Sequence, residues 1–228
     1  MLEFDGGKKI GTSIFGCLEK RLIDYLVPKV PRLIRSHHLT LASIPISILI
    51  IAFSFLAREN DFYLWAVSVM IAAQWLTDSL DGAVGRFRKE GLVRWGYYMD
   101  HFLDYVFLAS ILVGYMILLP DHFKYLQFFI LAIFGSFMVN SYLALSSTGR
   151  FRIAHLGIGP TEIRLIFILV NTMLFLFGKT YLAGALPYVL GLSFLALCFV
   201  VYQTQKEIWG LDMEKNKSIS DERKGHDL

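Results

Sequence analysis

Asp78-x-x-Asp81-Gly82-x-x-Gly85-Arg86 is followed, after nine residues, by Gly96-x-x-x-Asp100-x-x-x-Asp104. Asp78 and Asp81 are three apart and Asp100 and Asp104 four apart, so on helices each pair projects from one face. Two helices that bring those faces together gather four carboxylates around a common point. Like charges in an apolar setting repel and are costly to desolvate. Hard divalent cations between them relieve both costs, and an all-oxygen donor set suits Mg²⁺ or Mn²⁺. A carboxylate not consumed by metal can also take a proton from an attacking hydroxyl. A lone Asp near a helix end is ordinarily a cap or a solvated charge. Four at this spacing, in register with Gly and Arg, are not explained that way.

The elements that must position these residues are membrane helices. Of the 228 residues, 55% are apolar and 15% aromatic, including 19 Phe, and mean hydropathy is +0.53. That is too apolar for an ordinary soluble domain. Six stretches reach the length of about 20 residues that a bilayer requires: 39–57, 62–81, 97–120, 124–145, 160–178 and 181–203. The expected fold is an all-α integral membrane protein, a six-transmembrane-helix bundle with an N-terminal amphipathic surface helix. In that helix Ile14, Phe15, Leu18, Leu22, Tyr25 and Leu26 form the apolar stripe, with Glu19, Lys20, Arg21 and Asp24 opposite. Residues 1–38 read as a cytoplasmic amphipathic segment, 39–205 as the catalytic transmembrane domain and 206–228 as a polar cytoplasmic tail that frays into solvent. No cleavable signal sequence is recognised. Cys17 and Cys198 build neither a disulfide framework nor a metal site.

Charge orients the bundle. Nineteen of the 22 Lys and Arg fall in the N-terminal segment, the loops after spans two and four, and the tail. Arg58, Lys124 and Lys179 are the exceptions. By the positive-inside rule both termini and all four aspartates face the cytoplasm, within reach of a soluble nucleotide. The net charge of +3 fits a surface beside anionic lipid.

This pattern resembles the signature of the CDP-alcohol phosphotransferase family, D-x2-D-G-x2-A-R-x8-G-x3-D-x3-D. The family's Ala is Gly85 here, and nine residues rather than eight separate Arg86 from Gly96. Gly keeps the position small, and the extra residue falls where a loop absorbs it. The resemblance implies a membrane phosphotransferase of phospholipid biosynthesis. It would transfer a substituted phosphate from a CDP-alcohol, either CDP-diacylglycerol or a CDP-aminoalcohol, to a hydroxyl acceptor with release of CMP. Carried over residue by residue, Asp78, Asp81 and Asp100 hold metal, and Asp104 is the base and a further ligand. Gly82 admits the cytidine moiety to the backbone, Gly85 keeps the site close-packed, and Arg86 pairs with the diphosphate. Gly96 permits close approach of a neighbouring helix. Two ions of Mg²⁺ or Mn²⁺ are expected, since such a pair clamps attacking and leaving oxygens.

Weaker features surround this core. Thr40, in Ser36-His37-His38-Leu39-Thr40, either helps to bind nucleotide or starts a helix. The adjacent His37 and His38 point apart on a helix and do not make a metal pair. His101 either tunes Asp100 or is solvated. Arg150, Arg152, Glu162 and Arg164 are candidates for an acceptor pocket. Equally, the arginines serve topology and headgroup contact, and Glu162 with Arg164 forms an ion-paired helix start. The expected partners are the CDP-alcohol donor, a soluble alcohol or diacylglycerol as acceptor, and membrane lipids. No nucleic-acid partner is expected, and a homodimer is compatible. The alternatives are an intramembrane Mg-dependent prenyltransferase, against which the Gly82 and Arg86 register argues, and a cation transporter, which would want midplane charges and repeat symmetry.

Overall fold

A computed structural model of the chain describes residues 8–10, 16–152 and 159–226. The helices are α1 (Gly16–Leu26), α2 (Ser36–Leu41), α3 (Ser43–Leu56), α4 (Tyr63–Arg88), α5 (Val93–Leu118), α6 (Lys124–Thr148), α7 (Pro160–Phe177) and α8 (Thr180–His226). A ribbon of two three-residue parallel strands joins β1 (Lys8–Ile10) to β2 (Arg150–Arg152). Apart from that ribbon the described chain is helical, as its composition requires: a backbone in hydrocarbon must satisfy its polar groups internally.

Among the described residues, five helical stretches are long and apolar enough to cross a membrane: Ser36–Leu56, Val93–Leu118, Asp121–Thr148, Pro160–Phe177 and Leu182–Asn216. The expected second span is the exception. Helix α4 is 26 residues long, about 39 Å at the α-helical rise, but Gln74, Asp78, Asp81, Arg86 and Arg88 dilute its apolar run. The first expected span is broken after Leu41. Pro45 has no N–H to give the carbonyl four residues back, so α2 and α3 meet at a bend. Helix α8 continues to His226, where the sequence leads one to expect a frayed tail. The ribbon itself has no counterpart in the sequence reading.

Helix α3 packs against both α4 and α5, more closely than those two pack on each other. Helix α7 lies on α4, and α6 bridges α5 to α8. Ile50, Leu64, Ile71 and Ile111 fill the centre with no more than 1% exposure. Close approach of α5 to α3 occurs at Gly114, where an added Cβ would run into the Ser54 side chain, its own Cβ only 3.1 Å away. Small residues at such crossings are how helices pack in lipid. Gly96, expected to play that part, has nothing within 4 Å of an added Cβ. It lies in the first turn of α5, with open space where its side chain would be.

Polar side chains inside the bundle pair across helices. Asn171 Nδ2 donates to Ser68 Oγ (3.1 Å), the Tyr115 hydroxyl to the Phe167 carbonyl (3.1 Å) and Gln127 Nε2 to the Leu112 carbonyl (3.2 Å). At one end, Lys179 Nζ sits 2.8 Å from Asp61 Oδ1 and donates to the Arg58 carbonyl. At the other, Arg88 donates to the carbonyls of Val30 and Ile34, both at 2.6 Å. Lys89 and Gly91, both with positive φ, turn the chain between α4 and α5. Glu90 in that turn accepts from the Ser36 hydroxyl (2.6 Å) and N–H (2.9 Å), and the hydroxyl bond holds its carboxyl below the usual range.

Helix α1 lies against α4 through Ile23 and Val27, which pack with Leu80 and Val84. Leu18, Leu22 and Tyr25 are exposed. The protein-facing side is thus Glu19, Ile23 and Val27, at helical spacing, beside the predicted apolar stripe rather than on it. Ile14 and Phe15 lie outside the described residues.

Candidate active site

Helix α4 presents Asp78 and Asp81 one turn apart, ten and seven residues before its end at Arg88. Helix α5 presents Asp100 and Asp104 in its third and fourth turns. Because α4 and α5 stand apart, their side chains meet in the space between them. Carboxylate oxygens of Asp78, Asp100 and Asp104 lie within 4.8 Å of one another. Their side chains are 20%, 33% and 29% exposed, so the cluster is partly open rather than sealed in the core.

Asp81 stands outside this group of three. It is only 7% exposed, its Oδ2 accepts from Thr40 Oγ1 at 2.6 Å, and its Oδ1 accepts from the Gly82 N–H. Thr40 is itself buried. It therefore touches the aspartate set directly and fixes the Asp81 carboxylate from α2.

Arg164 is the residue that the sequence placed least well. It is 5% exposed and belongs to the aspartates. Its Nη2 lies 2.9 Å from Asp78 Oδ2 and 3.2 Å from Asp104 Oδ1, and its Nε donates to Gln74 Oε1 at 2.7 Å. The guanidinium carbon sits 5.5 Å from the centre of the Phe107 ring. One planar cation thus ties α4, α5 and α7 together, a task for which its fork of donors is suited. Glu162, two residues earlier, faces another way on the helix. Its Oε2 accepts from the Gly159 N–H at 2.8 Å and closes the first turn of α7 behind Pro160.

Gly82 and Arg86 are exposed on α4. A Cβ on Gly82 would sit 3.2 Å from Arg86 Nη1, so the guanidinium lies over the glycine. At Gly85 a Cβ would meet Ser36 at 3.4 Å, ordinary contact that leaves room for the family's Ala. His101 Nδ1 is 3.4 Å from Asp100 Oδ2, and the His101 ring makes tilted contacts with Tyr97 and Tyr142. Arg150 and Arg152 form β2 beside β1, at the end of the bundle from which α7 starts.

The donor set therefore suits a hard divalent cation: three carboxylates whose oxygens converge, on two helices, partly open to solvent. One residue the sequence reading missed is Glu19, on the protein-facing side of α1. Its Oε1 accepts from Ser79 Oγ at 2.8 Å and its Oε2 from Thr161 Oγ1 at 2.7 Å. The spacing Glu19, Ile23, Val27 carried a signal for it, masked by the stronger stripe of Leu18, Leu22 and Tyr25.

A sequence profile described as CDP-alcohol phosphatidyltransferase matches residues 34–202. No curated protein and no solved structure matches the chain significantly. The profile spans most of the chain and both aspartate pairs, and the chain belongs to that family.

Proposed function

We propose that this member of the CDP-alcohol phosphatidyltransferase family transfers a substituted phosphate from a CDP-alcohol to a hydroxyl acceptor at the Asp78–Asp100–Asp104 cluster, releasing CMP. The family itself implies phosphotransfer from a CDP-alcohol in phospholipid synthesis. The observation that carries the finer reading is the convergence of those three carboxylates next to Gly82 and Arg86, inside the matched segment. Neither a prenyltransferase nor a transporter is needed once the family is established.

Asp78, Asp100 and Asp104, with Asp81 beside them, would hold Mg²⁺ or Mn²⁺. Two such ions, when bound, would neutralise the phosphoryl oxygens and stabilise the departing phosphate of CMP. The protein's own groups do the rest. Arg86, free to swing from its place over Gly82, pairs with the diphosphate, and Gly82 leaves the backbone bare for the nucleotide. Thr40 fixes the Asp81 carboxylate. Arg164 holds Asp78 and Asp104 together against their mutual repulsion. Asp104 takes the proton of the acceptor hydroxyl as its oxygen forms a bond to the β-phosphorus and the bond to the CMP oxygen breaks.

The bundle would cross the membrane six times, with α4 as the remaining span. That reading draws support from α4 running between the end marked by Asp61 and Lys179 and the end marked by Glu90 and Ser36. The charge distribution supports reading the second end, both termini and the site as cytoplasmic. Pairing of β1 with β2 is consistent with this, since it keeps two cation-rich segments together.

The test is a panel. Purified protein in Mg²⁺ is given CDP-diacylglycerol, CDP-choline or CDP-ethanolamine with candidate acceptors, and CMP release is scored. Acceptor-dependent release that EDTA abolishes is expected for one donor class. Release from none of these donors, by a folded preparation, contradicts the proposal.

A further inference from the structure

Helices α4 and α7 are joined at the site in two ways. One is direct, Arg164 to Asp78 and to Gln74. The other passes through a third helix. Glu19 of α1 uses one carboxylate oxygen for Ser79, the neighbour of Asp78, and the other for Thr161, one turn before Arg164. Both hydroxyls donate and both oxygens accept, which makes two short charge-assisted hydrogen bonds. The helix that delivers Glu19 is seated by Ile23 and Val27 on Leu80 and Val84. Leu80 lies between Ser79 and Asp81 in sequence, so α1 grips α4 along the stretch that carries the aspartates.

We infer that Glu19 is a positioning residue: it clamps the Asp78 turn of α4 to the Arg164 turn of α7 and so sets the carboxylate geometry for divalent metal. The inference rests on the metal-dependent reading above. Its physical reason is the repulsion among Asp78, Asp100 and Asp104. Arg164 opposes that repulsion only while its Nη2 stays between Asp78 and Asp104, and this depends on the offset of α7 along α4. A sliding of about 1 Å between those helices would spoil one of the two contacts. The clamp fixes the offset without touching substrate or metal. It also links the site to the exposed apolar side chains of Leu18, Leu22 and Tyr25 on α1.

Full-length protein carrying Glu19→Ala, Glu19→Gln, Ser79→Ala or Thr161→Ala tests this. Three measurements are made: CMP release against Mg²⁺ and against donor, Mn²⁺ binding by the loss of the free-ion EPR signal, and amide exchange of residues 16–26. Glu19→Ala is expected to raise half-saturating Mg²⁺ and the Mn²⁺ Kd about tenfold and to speed exchange in α1, with donor KM within about twofold of wild type. Glu19→Gln should rescue, because its amide accepts from one hydroxyl and donates to the other. Each single hydroxyl deletion should give an intermediate loss. Should Glu19→Ala not fold, the two hydroxyl deletions decide. Wild-type Mn²⁺ affinity in Glu19→Ala or in both deletions overturns the clamp, as does a Gln variant no better than Ala. If no donor releases CMP, the proposed function fails while the Mn²⁺ titration still judges the clamp.

Discussion

Replacing Arg164 by Met removes one charge from the middle of the site and keeps a side chain long enough to lie over Phe107. The guanidinium is 2.9 Å from Asp78 and 3.2 Å from Asp104. At an effective dielectric of about 20, each contact is worth roughly 5–6 kcal/mol of gross attraction. Desolvation of the ions offsets most of this in the intact protein. Removing one partner leaves the desolvation without the attraction, and such truncations cost about 3–5 kcal/mol. Loss of the bond to Gln74 Oε1 pushes the effect toward the upper end. The assay is thermal unfolding of detergent-solubilised protein in EDTA and then in Mg²⁺. Arg164→Met should unfold well below wild type in EDTA. Because the carboxylates that would bind it have lost the cation holding them in place, Mg²⁺ should stabilise the variant less than it stabilises wild type. Adding Asp78→Asn should recover part of the EDTA loss, since it removes an uncompensated charge. A variant as stable as wild type in EDTA, or strict additivity with Asp78→Asn, would refute the reasoning.

Gly114→Val should destabilise the bundle by at least about 1–3 kcal/mol through overpacking against Ser54. Gly85→Ala should be neutral or slightly stabilising, both read by the same unfolding assay. Cysteines substituted at Asn60 or Lys179 should react with an impermeant reagent outside intact cells, and cysteines at Lys89 or Lys215 should not; the reverse pattern would invert the topology. A donor chiral at its β-phosphorus should give inverted product, as a single in-line displacement requires. Net retention would point to a covalent intermediate on the protein.

The aspartates were legible because their meaning is local. Spacings of three and four on flanking apolar segments put each pair on a helix face, and the glycines and Arg86 stand in fixed register with them. That Asp78, Asp100 and Asp104 converge while Asp81 is held by Thr40 was not legible. It depends on where α2 lands against α4, 41 residues away in the chain. Arg164 was visible as an unusual charge at a helix start, but its partners lie 60 and 86 residues away. The sequence offered nearby Glu162, which instead closes the turn. Glu19 was assigned to a solvated face because it stands among Lys20, Arg21 and Asp24. Only the seat of α1 on Leu80 and Val84 turns it inward. The bend at Ala42 follows from Pro45, a local cue that hydropathy alone passes over. Close packing was sought at Gly96 and found at Gly114, since a glycine's neighbour is a property of the crossing, not of the motif.

The most direct test of the account is the Mg²⁺ dependence of CMP release by wild type beside Asp78→Asn, Asp100→Asn and Asp104→Asn, with nucleotide binding measured in parallel. Asp78→Asn and Asp100→Asn are predicted to lose at least about a hundredfold in turnover, and Asp104→Asn to lose turnover more than nucleotide affinity. Wild-type rates in any of the three, or full activity of the unaltered protein in EDTA, would contradict the assignment of phosphotransfer to this cluster.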